Sequence, residues 1–151
     1  MVEPLGGKHI TRVTPDRSGA QFAKTLMLIA RRYPTAKTLH LVMDNLNSHT
    51  LASVTRHYGE TLGRILWSRF AVHYTPKHGS WLNQAEMELS ILNRQCMGRR
   101  RFESIAMLDP HVRQWNRRVN RERLRFRWGF TTTEARTTFR YAPRADRNQV
   151  A

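Results

Sequence analysis

The sequence predicts an α/β fold, because segments with the pattern of a β-strand alternate along the chain with segments that have the pattern of an α-helix. Two strand patterns are clear: residues 39–43 form a nearly continuous apolar run, and residues 69–75 alternate between apolar and polar side chains. Helical segments precede, separate and follow these two strands. About three strands are visible in all, which is few for a stable open sheet.

The first predicted elements are a short strand and a helix. Residues 8–14 carry β-branched side chains, which are typical of a strand. A helix should begin after Ser18 and end at Pro34, because apolar residues recur between them at the spacing of one helical face. The residues of this face are Phe22, Leu26, Ile29 and Tyr33.

The apolar run predicts a central strand that is covered on both faces. Ser48 or Thr50 can cap the helix that follows, and Gly59 or Gly63 should interrupt it. The alternating strand then sends successive side chains to opposite faces. On this pattern Phe70, Val72 and Tyr74 share one face, and Ala71 and His73 share the other.

Two helices with buried apolar stripes should complete the fold. The stripe of the first, after a turn at residues 76–79, comprises Leu82, Ala85, Leu89, Leu92 and Cys96. The stripe of the second comprises Ile105, Leu108, Val112, Trp115 and Val119. Because Asp109 and Pro110 lie within the second stripe, we expect Pro110 to kink this helix or to restart it with Asp109 as the N-cap.

The chain is strongly basic, with 26 basic against 11 acidic residues and a net charge of +15. This balance predicts an anionic partner, for which nucleic acid is the commonest choice. A bias of genome composition is the alternative, because 22 of the basic residues are arginine. Cys96 is the only cysteine and no leader or membrane anchor opens the chain, so we expect a cytoplasmic, nucleoid-associated bacterial protein with no role at a membrane.

Two acidic residues lie where they could form a metal site. Asp44 follows the apolar strand and Glu86 lies near a helix start, so their carboxylates could converge on Mg²⁺ or Mn²⁺, which prefer oxygen ligands. Each residue also has a structural interpretation: Asp44 could cap the turn at Asn45, and Glu86 could complete a capping box with Asn83. Glu88 lies about 200° around the helix from Glu86, so the two cannot share a site.

A dense basic band follows the helix of Glu86. Residues 94–127 contain 11 arginines and three acids, and they supply +8 of the net charge. Aromatic residues are interleaved with these arginines. Because the band directly follows the helix of Glu86, we favour a surface that contacts the DNA backbone. A solvated helix face with aromatics in the core is the alternative. The candidate DNA-binding residues are Lys77, Arg94, Arg99, Arg100, Arg101, Arg117 and Arg118.

Four segments of the chain, taken in order, match a known family. They are residues 3–7 (EPLGG), 41–49 (LVMDNLNSH), 74–86 (YTPKHGSWLNQAE) and 128–136 (WGFTTTEAR). On these segments the chain resembles the DDE transposases of bacterial insertion sequences, in the IS-six-thirty group of the Tc/mariner superfamily. The likeness extends over nearly the whole chain.

The resemblance implies a ribonuclease-H-like catalytic domain over residues 1–142, followed by a disordered tail over residues 143–151. In that family three acids hold two Mg²⁺ (or Mn²⁺) ions, which act when the element's ends are nicked and the freed 3′-OH is joined to target DNA. Asp44 matches the second of these acids and Glu86 the third. The residues that match positions beside the acids are Asn45, His49, His78 and Asn83.

The first acid of the family has no match here. It belongs to a strand upstream of the segment where this chain begins, and the earlier acids Glu3 and Asp16 do not lie in apolar strands. We therefore expect an N-terminally truncated domain that is inactive alone, either a decayed remnant or the downstream frame of a split gene. Its partners would be insertion-sequence ends and target DNA, with a second copy of the chain or an upstream half of the transposase. A non-catalytic basic module that binds DNA or modulates intact transposase is the alternative.

Overall fold

The computed structural model describes residues 1–75, 84–123, 129 and 131–139. Within these ranges the chain has the mixed α/β composition that the sequence predicts, with two small sheets and six α-helices. The proposed tail at residues 143–151 lies outside the described residues. None of the described helices is long and apolar enough to cross a membrane.

A small antiparallel hairpin opens the chain. Strand β1 (Val2–Glu3) pairs with β2 (Lys8–His9). The connection passes through Gly7, whose φ of 59° is readily adopted by glycine and only rarely by other residues. The strand predicted at residues 8–14 is confirmed at its first two residues alone.

Helix α1 (Gly19–Arg32) follows, with Ser18 as its N-cap residue and its end just before Pro34, as predicted. Its apolar face is confirmed as well. Leu26 and Ile29 are buried, and the partly buried Phe22 and Tyr33 pack against them and their neighbours. This face forms much of the first hydrophobic core.

A parallel strand pair lies against that core. Strand β3 (Leu39–Met43) pairs with β4 (Phe70–Tyr74) in a register that sets Leu39 opposite Phe70. The two strands are joined by helices α2 (Leu51–Tyr58) and α3 (Glu60–Ser68). Thr50 caps α2 by accepting the N–H of Ser53, and Gly59 separates the two helices with a φ of 81°, so both predicted signals are confirmed.

The prediction that β3 is covered on both faces is wrong. Val42 is 58% exposed and His40 is exposed, whereas Met43 is buried. Burial of both faces of β3 would require elements packed on both sides of the strand pair. The first core lies on one side only. On the exposed side His40 stacks on His73 of the neighbouring strand, with their ring centroids 5.3 Å apart.

The second half of the described chain forms a separate, smaller core. It comprises helix α4 (Gln84–Leu92), a π-helical segment (Asn93–Met97) and the long helix α5 (Ile105–Glu122). A last helix, α6 (Thr132–Phe139), follows. The buried residues of the second core are Leu92, Val112, Trp115 and Val119.

Helix α5 departs from the prediction at its start. It runs through Pro110 without restarting there, and its N-cap is Ser104, which accepts the N–H of Met107. Because Pro110 lies five residues into the helix, it costs one backbone hydrogen bond near the N-terminal end and does not end the helix. Asp109 instead forms an ion pair with Arg113. The stripe is otherwise confirmed from Leu108 onwards, while Ile105 is exposed.

The predicted stripe on α4 is also wrong in part. Leu89 is 62% exposed, whereas Glu88, one position earlier, is only 8% exposed. Leu92 is buried as predicted, and the half-buried Cys96 packs against the second core. The helix is therefore rotated from the orientation that apolar residues alone would choose, because Glu88 has a buried partner. Leu82 lies outside the described residues.

Replacement of Gly63 by alanine should destabilise the protein, although alanine is the better helix former. A Cβ atom at this position would lie 2.7 Å from the Cα atom of Thr55, a backbone atom of α2 that moves only with its helix. We expect the free energy of unfolding to fall by about 1–3 kcal/mol, instead of rising by the roughly 1 kcal/mol usual in an open helix.

The control for this change is Thr61→Ala on the exposed side of α3, which should alter stability by less than about 0.5 kcal/mol. Urea unfolding measures both. A Gly63→Ala protein as stable as the wild type would contradict the close packing of α2 against α3.

Candidate functional site

Asp44 stands at the carboxyl end of β3, where α/β proteins commonly place functional groups. The strand is fixed at this point, because the N–H of Thr75 donates to the carbonyl of Met43 at 2.9 Å and extends the pairing of the two strands. The Asp44 side chain is 45% exposed. The structure thus presents a carboxylate to solvent on a rigid support.

His49 holds this carboxylate in place. The Nδ1 atom of His49 lies 2.6 Å from Oδ1 of Asp44, and the His49 ring packs against Phe22 at 4.6 Å between ring centroids. The hydroxyl of Tyr74 donates to the His49 carbonyl at 3.0 Å. Because contacts from α1 and β4 restrain His49, it can fix the orientation of Asp44 and leave the second carboxylate oxygen for a ligand.

Glu86 lies in the first turn of α4 and is exposed. Helix α4 packs against β1 and continues into the π-helical segment. Asn45, next to Asp44, is exposed as well. Three other candidate residues, Lys77, His78 and Asn83, lie outside the described residues.

Asp44 and Glu86 each offer carboxylate oxygens, which suit a hard divalent cation. The described ranges, however, contain no group of three or more His, Cys, Asp or Glu side chains close enough to hold a metal ion. Asp44 and His49 are brought together by the structure. They do not by themselves amount to a complete two-metal site, which needs several bridging and flanking carboxylates.

A buried polar pair that the sequence did not reveal lies behind α4. His9 is 4% exposed, and its Nδ1 atom lies 2.7 Å from Oε2 of Glu88. Glu88 was set aside in the sequence because it cannot share a site with Glu86. The sequence signal for the burial of Glu88 was its four-residue spacing from Leu92, which places both residues on the buried face of α4.

Asn120 of α5 completes this contact. Its Oδ1 accepts the backbone N–H of His9 and its Nδ2 donates to the His9 carbonyl, both at 2.9 Å. The His9 ring also meets the edge of Trp115, with 6.2 Å between ring centroids. The hairpin, α4 and α5 are therefore joined at one residue, and Glu86 projects from a helix that is anchored two positions further on.

The candidate arginines lie on the surface of the second half of the chain. All six are exposed: Arg94, Arg99, Arg100, Arg101, Arg117 and Arg118. Arg100, Arg117 and Arg118 face one cleft between the π-helical segment and α5. Sequence reasoning missed the polar residues of this cleft, among them Gln95, whose side chain accepts hydrogen bonds from Trp115 and Arg118 at 3.0 Å.

Comparison with known protein families gives one match. Residues 1–109, more than two thirds of the chain, match the family model described as DDE superfamily endonuclease. This range includes Asp44, His49, Glu86 and the buried His9–Glu88 pair. No curated protein and no solved structure matched the chain.

The different roles of Glu86 and Glu88 can be separated by a matched pair of substitutions on α4. Glu88→Ala removes the carboxylate that contacts His9 in the protein interior, so we expect the free energy of unfolding to fall by about 3 kcal/mol. Glu86→Ala changes an exposed position of the same helix and should cost less than about 0.5 kcal/mol. Denaturant unfolding measures both, and equal effects of the two changes would contradict the assignment.

Proposed function

Because the chain belongs to the DDE superfamily of endonucleases, we propose that it is part of a transposase catalytic domain that acts on DNA. The proposal extends to the IS-six-thirty group of the Tc/mariner superfamily and to a ribonuclease-H-like fold. The observation that carries it is the continuous family match across both acidic residues, joined to the oriented carboxylate at the end of β3. The sequence segments at residues 41–49 and 74–86 support the finer assignment.

In this proposal Asp44 and Glu86 are metal ligands and two of the three acids of the site. DDE endonucleases use divalent metals, and Mg²⁺ or Mn²⁺ suits the carboxylate donors. His49 and Asn45 lie beside Asp44, and His78 and Asn83 precede Glu86 in the sequence. His49 would act by orienting the carboxylate of Asp44, to which it is hydrogen bonded.

Because the first acid of the family has no match among these 151 residues, we propose that this polypeptide does not cut DNA by itself. A two-metal site with one carboxylate removed binds its ions weakly, and the loss of one member of a catalytic unit typically costs orders of magnitude in rate. An upstream half of the transposase would supply the missing group.

A second candidate function is a DNA-binding module that does not cut and that modulates intact transposase. The observation that favours it is the set of exposed arginines in the second half of the chain. Within the described ranges, none of Arg99, Arg100 and Arg101 forms an ion pair with a carboxylate. Such arginines are free to contact phosphates.

We expect the purified chain, given Mg²⁺ or Mn²⁺, to leave DNA containing insertion-sequence ends intact. Supercoiled plasmid carrying such ends, followed by gel electrophoresis over hours, measures nicking. Asp44→Ala is the control for a contaminating nuclease, because nicking that survives this change cannot come from the proposed site. Strong nicking by the wild type that Asp44→Ala abolishes would show that the chain is active without an added acid.

Binding to DNA should be tolerant of sequence and strongly dependent on salt. Contacts of arginine with phosphates release counterions, so the logarithm of the association constant should fall by about 0.9 for each contact per tenfold increase in salt. Fluorescence anisotropy with a terminal-repeat duplex and an unrelated duplex of equal length measures this. Affinity that does not change with salt, or no binding at about 50 mM salt, would contradict a backbone-binding surface.

A further inference from the structure

A cleft of about 330 Å³ lies between the π-helical segment and α5 in the described part of the chain. We call it the arginine cleft. Four arginines line it: Arg100, Arg117, Arg118 and Arg121. Six of its nine lining residues lie beyond residue 109, where the family match ends, so membership of the superfamily does not account for it.

The arginines converge because of the helix repeat. Arg117, Arg118 and Arg121 stand one, three and four positions apart on α5, so their side chains leave the same side of the helix. Arg100 reaches the cleft from the opposite wall. None of the ion pairs among the described residues involves any of the four, although like charges placed together destabilise a fold. Such a cluster indicates an anionic ligand.

The base of the cleft is ordered by hydrogen bonds. Oε1 of Gln95 accepts from Nε1 of Trp115 and from Nη2 of Arg118, each at 3.0 Å. Trp115 is part of the second core, so Gln95 is fixed to a rigid support and in turn fixes the Arg118 guanidinium. A guanidinium has five N–H donors, and this contact uses one of them. Arg118 is therefore held in position, and its other N–H donors remain available for a ligand.

We propose that the arginine cleft binds a phosphodiester group of the DNA backbone and so fixes the position of the duplex on α5. This inference rests on the proposed action on DNA and adds a defined contact to it. A planar guanidinium matches two phosphate oxygens at once, and neighbouring arginines can share one phosphate. The cleft differs in this way from Arg99 and Arg101, which are exposed and outside it.

The reactivity of the Cys96 thiol can report on ligand binding in the cleft, because Cys96 lines the cleft and is the only cysteine of the chain. Burial raises the pKa of the Cys96 thiol, while the nearby Arg100 and Arg118 act in the opposite direction. The thiol should consequently react slowly with a maleimide at neutral pH, and at a measurable rate at about pH 8.5. A phosphodiester seated among the arginines would cover it.

The first test measures the rate of Cys96 alkylation by mass spectrometry, with and without a saturating duplex of unrelated sequence. We expect bound DNA to slow alkylation at least about tenfold, in proportion to the fraction of protein bound. Inorganic phosphate at the same phosphate concentration should protect much less, because it lacks the rest of the duplex. Protection by inorganic phosphate but not by DNA would overturn the proposal in favour of a free-anion site.

The second test is a charge-matched pair of double variants. Arg117→Gln with Arg121→Gln removes two cleft arginines that make no hydrogen bonds within the described residues, and it should lower DNA affinity about tenfold or more and reduce the salt slope by about two. Lys24→Gln with Arg31→Gln removes the same charge from the exposed surface of α1, and should lower affinity less than about threefold. Equal losses in the two double variants would overturn the proposal.

The outcomes separate this inference from the proposed function. Tight DNA binding with unprotected Cys96 would overturn the arginine cleft and leave the proposed action on DNA standing. Absence of any DNA binding, at low salt and in the wild-type chain, would overturn both.

Discussion

The hydrogen bond between His9 and Glu88 links the two cores of the chain, and the orientation of α4 depends on it. The hairpin that carries His9 also reaches the first core, since Glu3 accepts a hydrogen bond from the Tyr33 hydroxyl. Burial, together with this contact, raises the pKa of Tyr33 to about 12. Burying a carboxylate beside a histidine is unfavourable unless the pair is well formed. A short N-terminal segment therefore fixes the helix from which Glu86 projects.

The two acidic residues of the candidate site stand on different supports. Asp44 belongs to the parallel strand pair, where His49 and Tyr74 restrain it through local contacts. Glu86 belongs to a helix whose position is set by the hairpin and by α5. The DDE superfamily match covers both carboxylates, and exposed arginines lie on the second half of the chain.

Local signals in the sequence predicted much of the fold correctly. The helix start after Ser18, the cap at Thr50, the break at Gly59 and the two five-residue strands all depend on short-range effects, which local sequence patterns reveal. The errors arose where contacts with residues far away in the sequence determine which side chains are buried. Along α4 the four-residue spacing of Glu88 from Leu92 is the one signal for its burial, and the residue that makes this burial favourable is His9, 79 positions away. The exposed face of β3 and the cleft around Gln95 likewise depend on which elements pack together.

The central proposal is that Asp44 and Glu86 are ligands in the same metal site, with Glu88 structural. Paramagnetic broadening of amide resonances by substoichiometric Mn²⁺ tests it most directly, because the effect falls steeply with distance from the ion. We predict that the resonances of Asp44 and Glu86 broaden together, that those of Arg117 and Arg121 do not, and that Glu86→Gln weakens the broadening at Asp44. Broadening centred elsewhere, or an effect at Asp44 that Glu86→Gln leaves unchanged, would contradict the account.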